Sequence, residues 1–130
     1  MDKKHPAHRI LLMDDEQLVL DIAAKMISKL GYDACCTING EDAFEIYKKC
    51  YNTKDAFSLV IIDLTVPGGM NGVELMKLLI NYDKNIKAIV SSGYTADPVI
   101  EEFKTYGFID FIIKPFSMLG LKEKLNKYLG

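Results

Sequence analysis

Five short apolar runs alternate with five stretches of helical periodicity along this chain, and few folds accept that order. A strand that leads through a helix into another strand places the two strands parallel, so repeated alternation builds a parallel sheet with helices on both faces. The expected class is α/β: a single doubly wound, five-stranded parallel sheet flanked by five helices.

The runs are compact. "RILLM" (Arg9 to Met13) reads as a buried strand that ends on Asp14 and Asp15. Leu18, Ile22, Met26 and Leu30 then recur at helical spacing, with Val19, Ala23 and Ile27 widening the stripe and Gly31 as a stop. "YDACCTI" (Tyr32 to Ile38) is the second strand, and Asn39-Gly40 turns into a helix with Ala43, Phe44, Ile46 and Tyr47 that closes at Cys50, read as a small buried hydrophobe. "FSLVIID" (Phe57 to Asp63) suits a sheet covered on both faces, because its apolar run is continuous. The Pro67-Gly68-Gly69 loop precedes a helix with Val73, Leu75, Met76, Leu79 and Ile80. "IKAIVSSG" (Ile86 to Gly93) is the fourth strand, and Asp97-Pro98 supplies an N-cap and N1 pair for a helix predicted through Tyr106, with Gly107 ending it. "FIDFIIKPF" (Phe108 to Phe116) is a fifth strand broken by Lys114-Pro115, and Ser117 caps a last helix carrying Leu121, Leu125 and Leu129.

With 130 residues, 49% of them hydrophobic, the chain can bury one core without staples. Residues 1–8 form a polar lead and residues 9–130 the domain. A net charge of −2 gives neither the basic footprint of a nucleic-acid binder nor a disordered composition. Cys35, Cys36 and Cys50 have no metal-ligand spacing and make a poor disulfide framework, which favours a reducing, cytoplasmic compartment. The start lacks an apolar signal core and no apolar stretch is long enough to span a bilayer, so direct membrane contact is not expected.

In an open parallel sheet, ligands gather beyond the carboxyl ends of the strands. There strand one offers Asp14 and Asp15, strand three Asp63, strand four Ser91 and Ser92, and strand five Lys114. Three converging carboxylates repel unless cations offset them, and Lys114 supplies one charge only. An oxygen-only set without histidine or thiolate suits a hard divalent ion, and Mg²⁺ with a phosphoryl group fits better than zinc. A carboxylate can attack phosphorus to give an aspartyl phosphate, which makes the central Asp63 the candidate nucleophile.

Each residue also has a plainer reading. Asp14 or Asp15 alone could cap a helix, Asp63 could form a turn, Ser92 could bond a loop backbone, and Lys114 could be a solvated strand end. "PGGMNG" matches neither phosphate-binding glycine pattern and reads as a tight connection. His5 and His8 read as solvated tail residues. Joint placement at one edge is what favours the functional reading.

"LLMDDE", "VIIDLTVPGGMNG", "IVSSGYT" and "IIKPFS", in this order and at these separations, resemble the receiver domain of two-component response regulators. The resemblance runs from about Arg9 to the end of the chain. It implies the flavodoxin-like strand order 2-1-3-4-5, an order for which receivers are a standard example. It further implies Asp63 as phosphoacceptor, Asp15 as a direct Mg²⁺ ligand, Asp14 as a ligand through water, and the Thr65 carbonyl completing the metal shell. Lys114 is the implied partner of the acceptor and of the phosphoryl group, with a cis peptide before Pro115. Ser92 is the implied switch hydroxyl and Phe111 the switch aromatic, where phenylalanine can change only its packing. The loop from Asp63 to Gly72 is one residue longer than in the plainest receivers, and Ser92-Gly93 stands where Thr-Ala is commoner. "DLTVPGGMNG" and "SSGYTADP" look most like receivers of hybrid sensor histidine kinases.

The expected function is a phosphorylatable switch that accepts a phosphoryl group from a histidine kinase phosphohistidine, or from a phosphotransfer protein, onto Asp63 with Mg²⁺. The chain ends after its fifth helix, so the expected output is a changed protein contact through the fourth helix, fifth strand and fifth helix; direct nucleic-acid binding is disfavoured and weak homodimerisation stays open. It is not expected to be a multiple-turnover enzyme. An aspartyl-nucleophile phosphatase is the first rival, but Thr65 stands where its second Asp belongs. A non-phosphorylated interaction module is the second, and such a module has no need of an acidic cluster.

Overall fold

The five expected strands all form. The computed structural model describes residues 8–64, 69–93 and 96–130. In chain order the elements are β1 (Arg9–Met13), α1 (Gln17–Lys29), β2 (Asp33–Thr37), α2 (Gly40–Cys50), β3 (Leu59–Asp63), α3 (Gly72–Tyr82), β4 (Ala88–Ser92), α4 (Pro98–Glu101), a 3-10 segment (Phe103–Tyr106), β5 (Asp110–Ile113) and α5 (Met118–Leu129). The strands pair parallel in the order β2-β1-β3-β4-β5.

Side chains alternate across a strand, so the sheet divides the core in two. Leu11, Met13, Val60, Ile62, Ala88 and Val90 meet Ala43, Tyr47, Leu75, Met76 and Leu79 from α2 and α3. Ile10, Leu12, Leu59, Ile61, Ile89 and Ile112 meet Leu20, Ala23 and Ile27 of α1 and Leu121 and Leu125 of α5 on the other face. Both faces of β3 are covered, and all five of its residues are buried.

Capping follows the sequence. Asn39, Asp97 and Ser117 accept from the backbone N–H of Asp42, Val99 and Gly120 at 2.7, 2.9 and 2.9 Å, and Pro98 opens α4. Asn71 and Glu74 complete a reciprocal capping box at α3. Cys50 closes α2 half-buried against the core, with Arg9 Nη1 3.8 Å from its thiol. All three cysteines are free.

Three expectations are corrected. The row Leu18, Ile22, Met26, Leu30 does not face the core throughout: Leu18 is 70% and Ile22 45% exposed, while Leu20, Ala23 and Ile27 are buried. A row of every fourth residue winds by roughly 40° per step around the helix, so its two ends point in different directions. The helix predicted through Tyr106 stops at Glu101, because Ile100, Phe103 and Tyr106 all pack on the same core at a period of three. That period suits a 3-10 turn rather than an α-helix. The fifth strand covers Asp110–Ile113 rather than Phe108–Phe116, although the Lys114 N–H still donates to the Ser92 carbonyl at 2.8 Å. The Lys114–Pro115 peptide is cis, as the resemblance implies.

Candidate functional site

Parallel pairing in register brings the carboxyl ends of β1, β3, β4 and β5 to one edge: Met13 lies beside Ile62, Asp63 beside Ser91, and Ser92 beside Ile113. The next residues of β1 and β5 are Asp14 and Lys114. Buried charges are rare unless paired, yet Asp14 and Asp63 are each only 4% exposed. Lys114 provides the pairing. Its Nζ donates to Asp63 Oδ1 at 2.9 Å and to Asp14 Oδ2 at 3.1 Å.

Asp15 lies at the exposed side of the cluster, and one oxygen from each of Asp14, Asp15 and Asp63 falls within 4.8 Å of the others. Asp14 also accepts from the Glu16 N–H at 3.0 Å, but the N-cap of α1 is Glu16 and carries no side-chain cap bond, so neither Asp14 nor Asp15 caps the helix. Three carboxylates against one ammonium leave an excess of negative charge. The donor set is oxygen only, and that fits a hard divalent cation such as Mg²⁺.

Burial pushes the Asp63 carboxyl up to about 6, with the Asp14 and Asp15 charges adding to the rise and the Lys114 hydrogen bond opposing it. Burial by itself would lower Lys114; its hydrogen bonds to Asp63 and Asp14 outweigh that and hold the ammonium above its ordinary value. Lys114 therefore offsets part of the charge that burial disfavours on Asp63. A second positive charge would lower the cost of keeping Asp63 ionised.

Ser91 and Ser92 are buried at the end of β4. Phe111 is half-buried on β5, its ring 5.6 Å from that of Phe103. Thr65, His5, and Pro67 and Gly68 of the glycine loop lie outside the described residues. His8 is remote from the cluster, at the amino end of β1, where its Nδ1 is 2.9 Å from Ser58 Oγ. The sequence reading missed Glu16, whose Oε1 reaches to 3.7 Å from Lys114 Nζ. Its signal was present as the third acid of the "DDE" run.

Two features hold Asp63 in place. Leu64 N–H donates to the Ser91 carbonyl at 2.9 Å, and Gly72 N–H returns to the Leu64 carbonyl at 3.1 Å. Gly72 approaches so closely that a Cβ there would lie 2.6 Å from the Asp63 carbonyl oxygen. The start of α3 therefore rests directly on the end of β3.

Residues 10–126 match the family model of the response regulator receiver domain. The chain belongs to that family. It is 31% identical over 121 residues to sporulation initiation phosphotransferase F of Bacillus subtilis, covering 93% of each chain. It is also 31% identical over 127 residues to hybrid signal transduction histidine kinase F of Dictyostelium discoideum, covering 93% of this chain and 11% of that protein. Among solved structures, the response regulator protein TrrA of Thermotoga maritima, in complex with Mg(2+)-BeF, superposes with a TM-score of 0.80 at 26% identity, covering 93% of this chain and 98% of that one. As a receiver domain, the protein is a phosphorylatable signalling switch of two-component systems. Among the described residues, no helix is long and apolar enough to cross a membrane.

Proposed function

We propose that Asp63 is the phosphoacceptor and that a phosphohistidine of a histidine kinase or phosphotransfer protein is the donor. The observation that carries this reading is the buried Asp63 carboxylate held 2.9 Å from Lys114 beside Asp14. An Asp63 oxygen attacks phosphorus while the phosphorus–nitrogen bond to imidazole breaks, and the imidazole takes up a proton as it leaves. Lys114 is placed to follow the charge from the carboxylate to the phosphoryl oxygens. Asp14 and Asp15, with Asp63 and the Thr65 carbonyl, would hold Mg²⁺, which when bound supplies neutralising charge to those oxygens. Ser92, buried at the end of the neighbouring strand, would then bond the phosphoryl group, and Phe111 would repack.

A protein donor also needs a surface. The first turns of α1 and α5 start at this edge and expose Leu18 (70%) and Leu119 (66%), with Ile22 and Met118 beside them in sequence register. That apolar rim suits a phosphohistidine-bearing helix in a cytoplasmic setting. The product is a single stored phosphoryl group rather than repeated turnover.

Incubation with acetyl phosphate and Mg²⁺ followed by intact mass measurement tests the assignment. The expected result is a labile gain of one phosphoryl group that disappears in Asp63→Asn. No adduct in the wild type would favour the non-phosphorylated module, and steady phosphate release from unrelated phosphoesters would favour the phosphatase.

A further inference from the structure

A third buried carboxylate, after Asp14 and Asp63, lies away from the proposed acceptor. Asp110, 7% exposed at the start of β5, accepts from Lys124 Nζ at 2.8 Å, from the Tyr128 hydroxyl at 2.7 Å and from the Phe111 N–H at 2.8 Å. Lys127 stands 4.0 Å off. These contacts fasten α5 to the edge strand of the sheet.

Lys124 does more than fasten. Its Nζ lies 5.0 Å from the centroid of the Phe111 ring, within range of a cation–π attraction. The Phe103 ring lies 5.6 Å from the same ring, tilted by 50°. Phe111 thus touches both the 3-10 segment and an ammonium bonded to Asp110, and three residues further on the same strand leads into Lys114 at the proposed acceptor.

We infer that Lys124 is a positioning residue of the switch: anchored on Asp110, its ammonium attracts the Phe111 ring, holds it in its place beside Phe103 and opposes its repacking. The inference rests on the assignment of Asp63 as acceptor and names the residue that sets how easily phosphorylation is read out. A phenylalanine has no hydroxyl to signal with, so the charge above its ring supplies the directional restraint. Because coupling between sites is reciprocal, releasing that restraint must strengthen binding of anything that favours the repacked arrangement.

The test uses the full chain with Mg²⁺ and beryllofluoride as the phosphoryl mimic, and 4-fluorophenylalanine labelling to follow Phe111, its fluorine resonance assigned by Phe111→Leu. Lys124→Met keeps the aliphatic stem and loses the charge; it is expected to bind beryllofluoride roughly two- to fivefold more tightly, the range a single exposed cation–π contact supports. Its ligand-free Phe111 resonance should already be displaced toward the bound position. Asp110→Asn, which frees the ammonium, should move both readings the same way, whereas Lys124→Arg should restore them. Tyr128→Phe removes a strut of α5 without touching the ring, and it should leave the beryllofluoride affinity unchanged. Wild-type affinity and an unmoved Phe111 resonance in Lys124→Met would overturn the inference, as would an equal gain in Tyr128→Phe. Failure of the wild type to bind beryllofluoride at all would instead overturn the acceptor assignment, and the ligand-free Phe111 resonance would still decide whether Lys124 restrains the ring.

Discussion

Asp63, the proposed phosphoacceptor, is buried where its charged form is disfavoured. Its ordinary value is 3.8 and the fold raises it to about 6, so the folded state binds a proton more tightly than the unfolded chain does. The resulting stabilisation is fully present below pH about 4 and is lost as pH rises through about 6. In metal-free buffer Asp63→Asn should therefore be more stable than the wild type above pH 6, by about 1–3 kcal/mol, and the two should converge below pH 4. Thermal melts in a chelator across this range would show it. A constant difference at every pH would mean that burial of the charge is not the cause.

At the scale of elements, α1 separates what periodicity can and cannot establish. Thirteen residues of amphipathic sequence identify a helix, but the orientation of its stripe depends on where the sheet lies. Leu18→Ala should change stability by less than about 0.5 kcal/mol, because the side chain is 70% exposed. Ile27→Ala, at a fully buried position, should cost about 2–5 kcal/mol in a urea titration. Equal costs would put the helix in the wrong phase. The junction of β3 and α3 makes a further demand. Gly72→Ala would force its methyl against the Asp63 carbonyl and should cost about 1–3 kcal/mol while slowing phosphorylation, since the strand that carries the proposed acceptor must shift to make room.

At the scale of the whole molecule, one sheet sandwiched between two cores carries a charged cluster on its carboxyl edge. Mg²⁺ that binds only the assembled cluster must stabilise the fold by mass action, by about 2.7 kcal/mol at a hundredfold excess over its Kd. The melting temperature should rise with Mg²⁺ concentration, and Asp15→Ala should remove most of that rise. An unchanged Mg²⁺ response in Asp15→Ala would place the ion elsewhere. The opposite edge offers no comparable cluster among the described residues.

Much of this molecule was legible from residues alone. Continuous apolar runs revealed the strands, Asn39, Asp97 and Ser117 marked helix starts, and the acids, serines and lysine stood at strand ends where a parallel sheet collects its ligands. Each of these signals is local, because it depends on the preference of a short segment for one backbone shape or one cap. The resemblance added the strand order and the cis peptide. The tertiary structure alone decided which side of α1 faces water, where the fourth helix gives way to a 3-10 turn, and that Glu16 reaches Lys114. It alone also brought Lys124 of α5 within reach of both Asp110 and the Phe111 ring. Those outcomes depend on distances between segments far apart in the chain, and no periodicity within a segment records them.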